Sequence, residues 1–160
     1  MKVKVLLAAS ILSSLTLVGC GSEDKAFTVN ATTASDFAYT MANQPAVDVT
    51  LKQDENNFCQ ITFLRKNVQP GFSASLKQKS TGDLSSSCYW EGKLYIQSSK
   101  HPTLATLTIN ELDEGSKVAK LKTSLKLVDN KSLDEYFELK DIEFTLSGQQ
   151  FTNLITMPKE

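Results

Sequence analysis

The 160-residue chain is poor in the side chains that carry most enzymatic chemistry, with one histidine and three cysteines. A Ser-His-Asp arrangement could draw only on His101, which precedes Pro102 between two strand-like runs and has no acidic neighbour in sequence. No strand-to-helix elbow presents a serine, no glycine-rich phosphate loop is visible, and no His/Cys cluster supports zinc. The expectation is therefore a protein that is not an enzyme, without catalytic residues, metal ligands or cofactors. Seven glycines and four prolines are too few for a disordered or collagen-like chain. An excess of one charge is missing too, since 17 Lys+Arg face 18 Asp+Glu for a formal net charge of −1. Such a balance supplies no field for sequence-independent nucleic-acid binding. What the chain does have, 41% hydrophobic and 8% aromatic residues, suffices for one core, and its length excludes two large domains.

The N-terminus has a distinct composition. Lys2 and Lys4 precede an uncharged, mostly apolar run over 5–19, about 15 residues, shorter than the roughly 20 a helix needs to cross a bilayer. A basic stretch followed by such a run reads as a secretory signal. It ends on Leu17-Val18-Gly19-Cys20, which resembles the lipobox of bacterial lipoprotein precursors. The resemblance implies that the Cys20 thiol receives a diacylglycerol, that the peptide is cleaved before Cys20, and that the new amino group is acylated, with palmitate as the diagnostic label. Two or more acyl chains anchor a protein stably, where one does not. Ser22 stands where an aspartate would resemble an inner-membrane retention signal, which favours the outer membrane, with the domain on its periplasmic or its outer face.

The domain organisation that follows is a cleaved signal over 1–19, a lipidated cysteine with a short tether over 20–25, and a single β-rich domain over 26–160. Residues 21–25 reach at most about 18 Å when extended, so the domain is expected close to its membrane. Loss of Lys2 and Lys4 leaves 15 basic against 18 acidic residues, a mature formal charge of −3.

Within the domain one helix is expected over 35–44, with Phe37 and Met41 on one face, Thr33 and Asp36 at capping-box spacing, and Pro45 as its stop. The rest alternates with period two, as in Val47, Val49, Leu51; Cys59, Ile61, Phe63; Phe72, Ala74, Leu76; Ala105, Leu107, Ile109; and Leu121, Thr123, Leu125, Leu127. Cys88, Trp90, Leu94 and Ile96 are assigned to one face of a further strand, against Tyr89, Glu91, Lys93 and Tyr95. Between Tyr136 and Leu146 the parity slips, which implies a β-bulge near Lys140-Asp141, and a last strand is expected over 151–157. Turn residues separate these runs, as at Asp54-Glu55-Asn56 and Ser80-Thr81-Gly82-Asp83. The fold expected is mainly β, an antiparallel β-sandwich or small β-barrel of about eight strands with one short N-terminal helix.

With Cys20 committed to lipid, Cys59 and Cys88 remain as a pair in an oxidising compartment, each on the apolar side of its strand. A disulfide between them closes a loop of about 30 residues, worth about 3.5 kcal/mol in the chain-entropy model. A redox role would need Cys-x-x-Cys spacing, which is absent. Trp90 is placed in the core beside the bridge. Acidic pairs at Asp54-Glu55, Asp113-Glu114 and Asp134-Glu135 read as solvated turn charges, and Lys120, Lys122 and Lys126 as a ladder paired with Glu138 and Glu143. The candidate partner-binding surface is the outer stripe Tyr89, Glu91, Lys93 and Tyr95.

Taken together, these features imply a non-catalytic envelope lipoprotein. It is anchored to the membrane through Cys20 and binds an envelope protein, as an accessory subunit of a machine or as an inhibitor or immunity factor. The alternative is a small-ligand or lipid carrier, with a barrel cavity lined by residues such as Phe63, Phe72, Trp90 and Phe144. A hydrolase using Asp113 and Glu114 is the third reading.

Overall fold

In the computed structural model, residues 26–77 and 83–158 are described. The signal, Cys20 and the tether lie outside them, as do turn residues 80–82. The elements are β1 (Ala31–Ala34), β2 (Tyr39–Met41), β3 (Gln44–Lys52), β4 (Phe58–Leu64), a single 3-10 turn (Arg65–Asn67), β5 (Ser73–Lys77), β6 (Leu84–Trp90), β7 (Lys93–Ile96), β8 (Leu104–Asp113), β9 (Val118–Asp129), β10 (Tyr136–Ser147) and α1 (Gln149–Ile155). The fold is mainly β.

The strands form one antiparallel sheet in the order β1-β3-β4-β6-β7-β9-β8-β5, with β10 on the other side of β9 and β2 beside β3. The sheet curls into a half-barrel. Its weak line is the β7–β9 junction, where only Tyr95↔Asp129 and Ile96↔Val128 pair before β8 takes over the same edge of β9. Curling brings distant strands face to face, so that the Phe63 ring of β4 stacks on Phe72 at 6.5 Å between centroids. Along most strands the alternating apolar positions face inward, and Val47, Val49, Leu51, Ile61, Phe63, Leu107, Ile109, Leu125 and Leu127 are fully or almost fully buried. This burial is the main stabilising term of the fold.

The N-terminal helix expected over 35–44 is not formed. Phe37 and Met41 stand four apart, a spacing compatible with a strand as well as a helix. The segment instead bends at 35–38 and enters β2, which turns through Ala42 and Asn43 into β3. Both turn residues have positive φ, 51° and 59°, as a two-residue type I′ hairpin requires. Pro45 lies in β3 beyond the last pair with β4, where a missing N–H interrupts no ladder on that side. Among the described residues the one α-helix sits near the C-terminus, where the strand over 151–157 was expected. Its Phe151 and Leu154, three apart, are the buried pair of a helical turn.

The expected bulge is present. The β9–β10 register shifts between Leu139 and Ile142, with Asp141 at φ 51°. β1 and β10 approach without forming a ladder, and α1 covers the gap between them. The Thr32 hydroxyl donates to the Thr145 carbonyl (2.8 Å), the Ala34 N–H to Gln150 Oε1 (2.7 Å), and Asn153 Nδ2 to the Ala34 carbonyl (3.1 Å).

Candidate functional site

Cys59 and Cys88 are directly opposed on β4 and β6, with Cα atoms 4.0 Å apart and the sulfurs joined. Both are buried, and Trp90 lies two residues further along the same face of β6. Trp90 packs with Phe27 and Phe137, and Tyr95 joins this aromatic cluster through Phe137, with ring centroids 5.5 to 5.9 Å apart where they are paired.

The outer stripe of Tyr89, Glu91, Lys93 and Tyr95 is split by the structure. Glu91 and Gly92 form a tight turn, both at positive φ, so that Trp90 faces Lys93 and Cys88 faces Tyr95. Directly opposed residues share a face, which flips the parity of β7 relative to a continuous strand. Tyr95 is consequently buried, 3% exposed, and its hydroxyl donates to Glu135 Oε1 at 2.8 Å. Burial and this bond to a carboxylate push the Tyr95 pKa upward. Glu135 also pairs with Lys93, and the two partners hold its carboxyl below the usual range, the lysine contributing most. Of the stripe only Tyr89 offers an exposed apolar surface, tilted against Phe58 at 5.4 Å.

The acidic pairs act in separate turns. Asp54 accepts from the Asn56 N–H and from Asn57 Nδ2, and Asp113 accepts from the Gly115 and Ser116 N–H groups and the Ser116 hydroxyl. These bonds hold both carboxyls below their ordinary range. His101 Nδ1 bonds the Ser98 hydroxyl at 2.9 Å within its own loop. Lys126 pairs with Glu138 as expected, but Lys122 reaches Asp141 at the bulge instead of Glu143, and Lys120 reaches Glu111 on β8. Among the described residues no three His, Cys, Asp or Glu side chains are grouped to hold a metal ion, and no helix is long and apolar enough to cross a membrane.

The surface that sequence reasoning missed lies at one end of the half-barrel. Ala26 enters at the opposite end, where the Asn30 N–H donates to the Lys52 carbonyl and the Glu91 N–H to Asn57 Oδ1. From Lys52 back to Gln44, β3 rises about 26 Å to the β2–β3 hairpin. Toward this far end lie three of the six large hydrophobic side chains exposed among the described residues, Tyr39 (42%), Ile155 (41%) and Met157 (56%), while Phe37 (56%) stands at the bend before β2, near Asp48 and Thr50. Arg65 draws the hairpin and α1 together. Its guanidinium donates to the Ala46 carbonyl from Nε (3.0 Å), and from Nη1 to the carbonyls of Asn153, Leu154 and Thr156 (2.9, 3.1 and 2.8 Å). A hollow of about 280 Å³ opens there, bordered by Pro45, Lys66, Ile155 and Met157.

Phe63, Trp90 and Phe144, expected to line a carrier cavity, are instead buried within the core cluster, and Phe72 packs against it. The hollows described on the surface are lined by other residues. Compared with known families, curated proteins and solved structures, the chain matches none.

Proposed function

We propose that the mature protein is a bacterial envelope lipoprotein, held on the outer membrane by lipid on Cys20, and that its β-domain is a non-catalytic protein-binding module. In this role it is an accessory subunit of an envelope machine or an inhibitor or immunity factor. The observation that carries the reading is the placement of the exposed apolar cluster. Tyr39, Ile155 and Met157 lie toward the end remote from Ala26, with Phe37 at the bend before β2, and Ala26 is six residues after Cys20. A short tether puts the Ala26 end near the bilayer and aims the apolar end away from it, where a protein, not lipid, would cover it. The buried aromatic cluster favours this reading over a carrier, which needs an open interior.

The test uses the full-length chain in its native membrane. Palmitate labelling is expected in wild type and not in Cys20→Ala. Crosslinking is expected to yield one stoichiometric protein partner, lost in Phe37→Asp/Tyr39→Lys while the thermal midpoint is unchanged. Retention of the partner by that variant, or the absence of any stoichiometric partner in wild type, refutes the binding role. Labelling that survives Cys20→Ala refutes the anchor.

A further inference from the structure

We propose that the β7–β9 junction is an acid-released latch, in which protonation of Glu135 parts β7 from β9 and bares the aromatic cluster while the other strand pairs hold. The latch lies wholly within the described residues and does not depend on the lipid anchor.

β9 divides one of its edges between two neighbours. β8 holds residues 118–126, and β7 takes only Val128 and Asp129, opposite Ile96 and Tyr95. On one side of the junction β7 belongs to a firm unit, since β6 pairs with β4 over six residues and is bridged to it by Cys59 and Cys88. β9 is equally firm, with β10 along its other edge. Two well-built halves therefore meet at two residue pairs, and local opening falls where such pairing is sparsest.

The loop between β9 and β10 closes the junction by folding back over β7. The Asn130 N–H donates to the Leu94 carbonyl (2.9 Å), and the Asp129 carboxylate fixes the start of the loop by accepting from the Lys131 and Ser132 N–H groups. Glu135 ties the other end of the loop to β7. Its Oε1 accepts from the Tyr95 hydroxyl (2.8 Å) and its Oε2 from Lys93 Nζ (2.5 Å), so one carboxylate crosses the junction twice. Behind it Phe137 of β10 meets the Tyr95 and Trp90 rings at 5.5 and 5.7 Å, and Phe27 lies against both Trp90 and Phe137.

Lys93 faces Glu135 and favours its ionised form, whereas Asp129 at the foot of the loop opposes it. Glu91, in the turn before β7, acts on Lys93 and Tyr95 in the same sense as Glu135 does. The bonds from Lys93 and Tyr95 hold the Glu135 carboxyl below the ordinary range, so the latch is closed at neutrality and releases as pH falls below about 4.3. Protonated, Glu135 loses its ion pair with Lys93 and the charge that strengthens the Tyr95 bond. An ion pair between half-exposed groups is worth little by itself. Here it supplements only two residue pairs, and the buried Tyr95 hydroxyl loses its charged partner with it.

Trp90 is the one tryptophan of the chain and reports on the cluster directly. The experiment follows amide exchange, corrected for its intrinsic pH dependence, and acrylamide quenching of Trp90 in the purified full chain in detergent, at about pH 7 and about pH 3.5. In acid, exchange at residues 94–96 and 128–130 is expected to accelerate at least tenfold more than at residues 47–51 and 59–63, with Trp90 more strongly quenched. Glu135→Gln, which cannot ionise, reproduces both changes at neutral pH, and Lys93→Met reproduces them in part. Glu138→Gln, which removes a carboxylate paired with Lys126 and Lys140, leaves the junction closed. Acceleration shared equally by all strands is general acid unfolding and overturns the latch, as does a junction that stays protected in acid or in Glu135→Gln. The wild-type comparison needs no substitution, so a variant that fails to fold does not shield the latch from refutation.

Discussion

Arg65 is the only arginine beside 16 lysines, and its task needs a planar fork. One guanidinium satisfies a carbonyl at the start of β3 and three at the end of α1, where helical carbonyls otherwise lack partners. Lys in its place keeps the charge but cannot span both sites, so Arg65→Lys should cost about 1 to 3 kcal/mol and speed amide exchange in α1 before the rest of the sheet. Urea unfolding and native-state exchange would show this. Sequence reasoning passed over the residue because a lone arginine carries no spacing signal; its rarity was the sole clue. Tyr95 was misplaced for a definable reason, the parity flip at Glu91-Gly92, and its burial makes it a pH probe. Its folded pKa is raised, so its contribution is complete below the ordinary tyrosine value of about 10 and is lost as pH rises through the folded value. Glu135 has the opposite sign. Its folded pKa is lowered, so its contribution is present above the ordinary carboxylate value of about 4.3 and is lost as pH falls through the folded one. Urea midpoints across pH should therefore find Tyr95→Phe less sensitive to alkali than wild type, and Glu135→Gln weaker at neutrality but converging with wild type in acid.

Among the elements, long alternating strands were legible and short or bent ones were not. Seven of the sheet's runs announce themselves because inward positions repeat every second residue, and the bulge near Asp141 was readable as a slip in that repeat. β1 is four residues and β2 three, too brief to establish a period. The Phe37/Met41 spacing fits both regular structures, so the Thr33/Asp36 pair tipped the reading toward a helix that the Ala42-Asn43 turn forbids. At the other end Phe151 and Leu154 held a helical spacing within an apparent strand. The clearest element-level link is the Cys59–Cys88 bridge between β4 and β6, neighbours that the chain joins only through residues 65–83. The Cys59→Ala/Cys88→Ala variant should lose about 3 to 4 kcal/mol, read as a shift in the urea midpoint, because the unfolded chain regains the freedom that the bridge removes. Reductant should bring wild type to the same midpoint, and an unchanged midpoint in either would show the link to be energetically idle.

For the whole molecule, the sequence reads as a leader, a tether and a β-domain, and the structure divides its candidate contact stripe by burying Tyr95 and leaving Tyr89 exposed. Reading residues 35–44 as a helix hid a short uncharged strand inside an ordinary amphipathic pattern. Only the fold brings Ser35 and the start of β3 to the end of α1, more than a hundred residues later, where Arg65 bonds carbonyls of all three. The same arrangement governs when the fold can be completed. The seam along β1 is closed not by strand pairing but by Gln150 and Asn153, on the last helix of the described chain. In a polypeptide delivered N-terminus first, β1 is the first element to emerge and must wait for α1, the last. The seam along β1 therefore closes only once α1 is available, so the finished domain needs nearly the whole of the described chain.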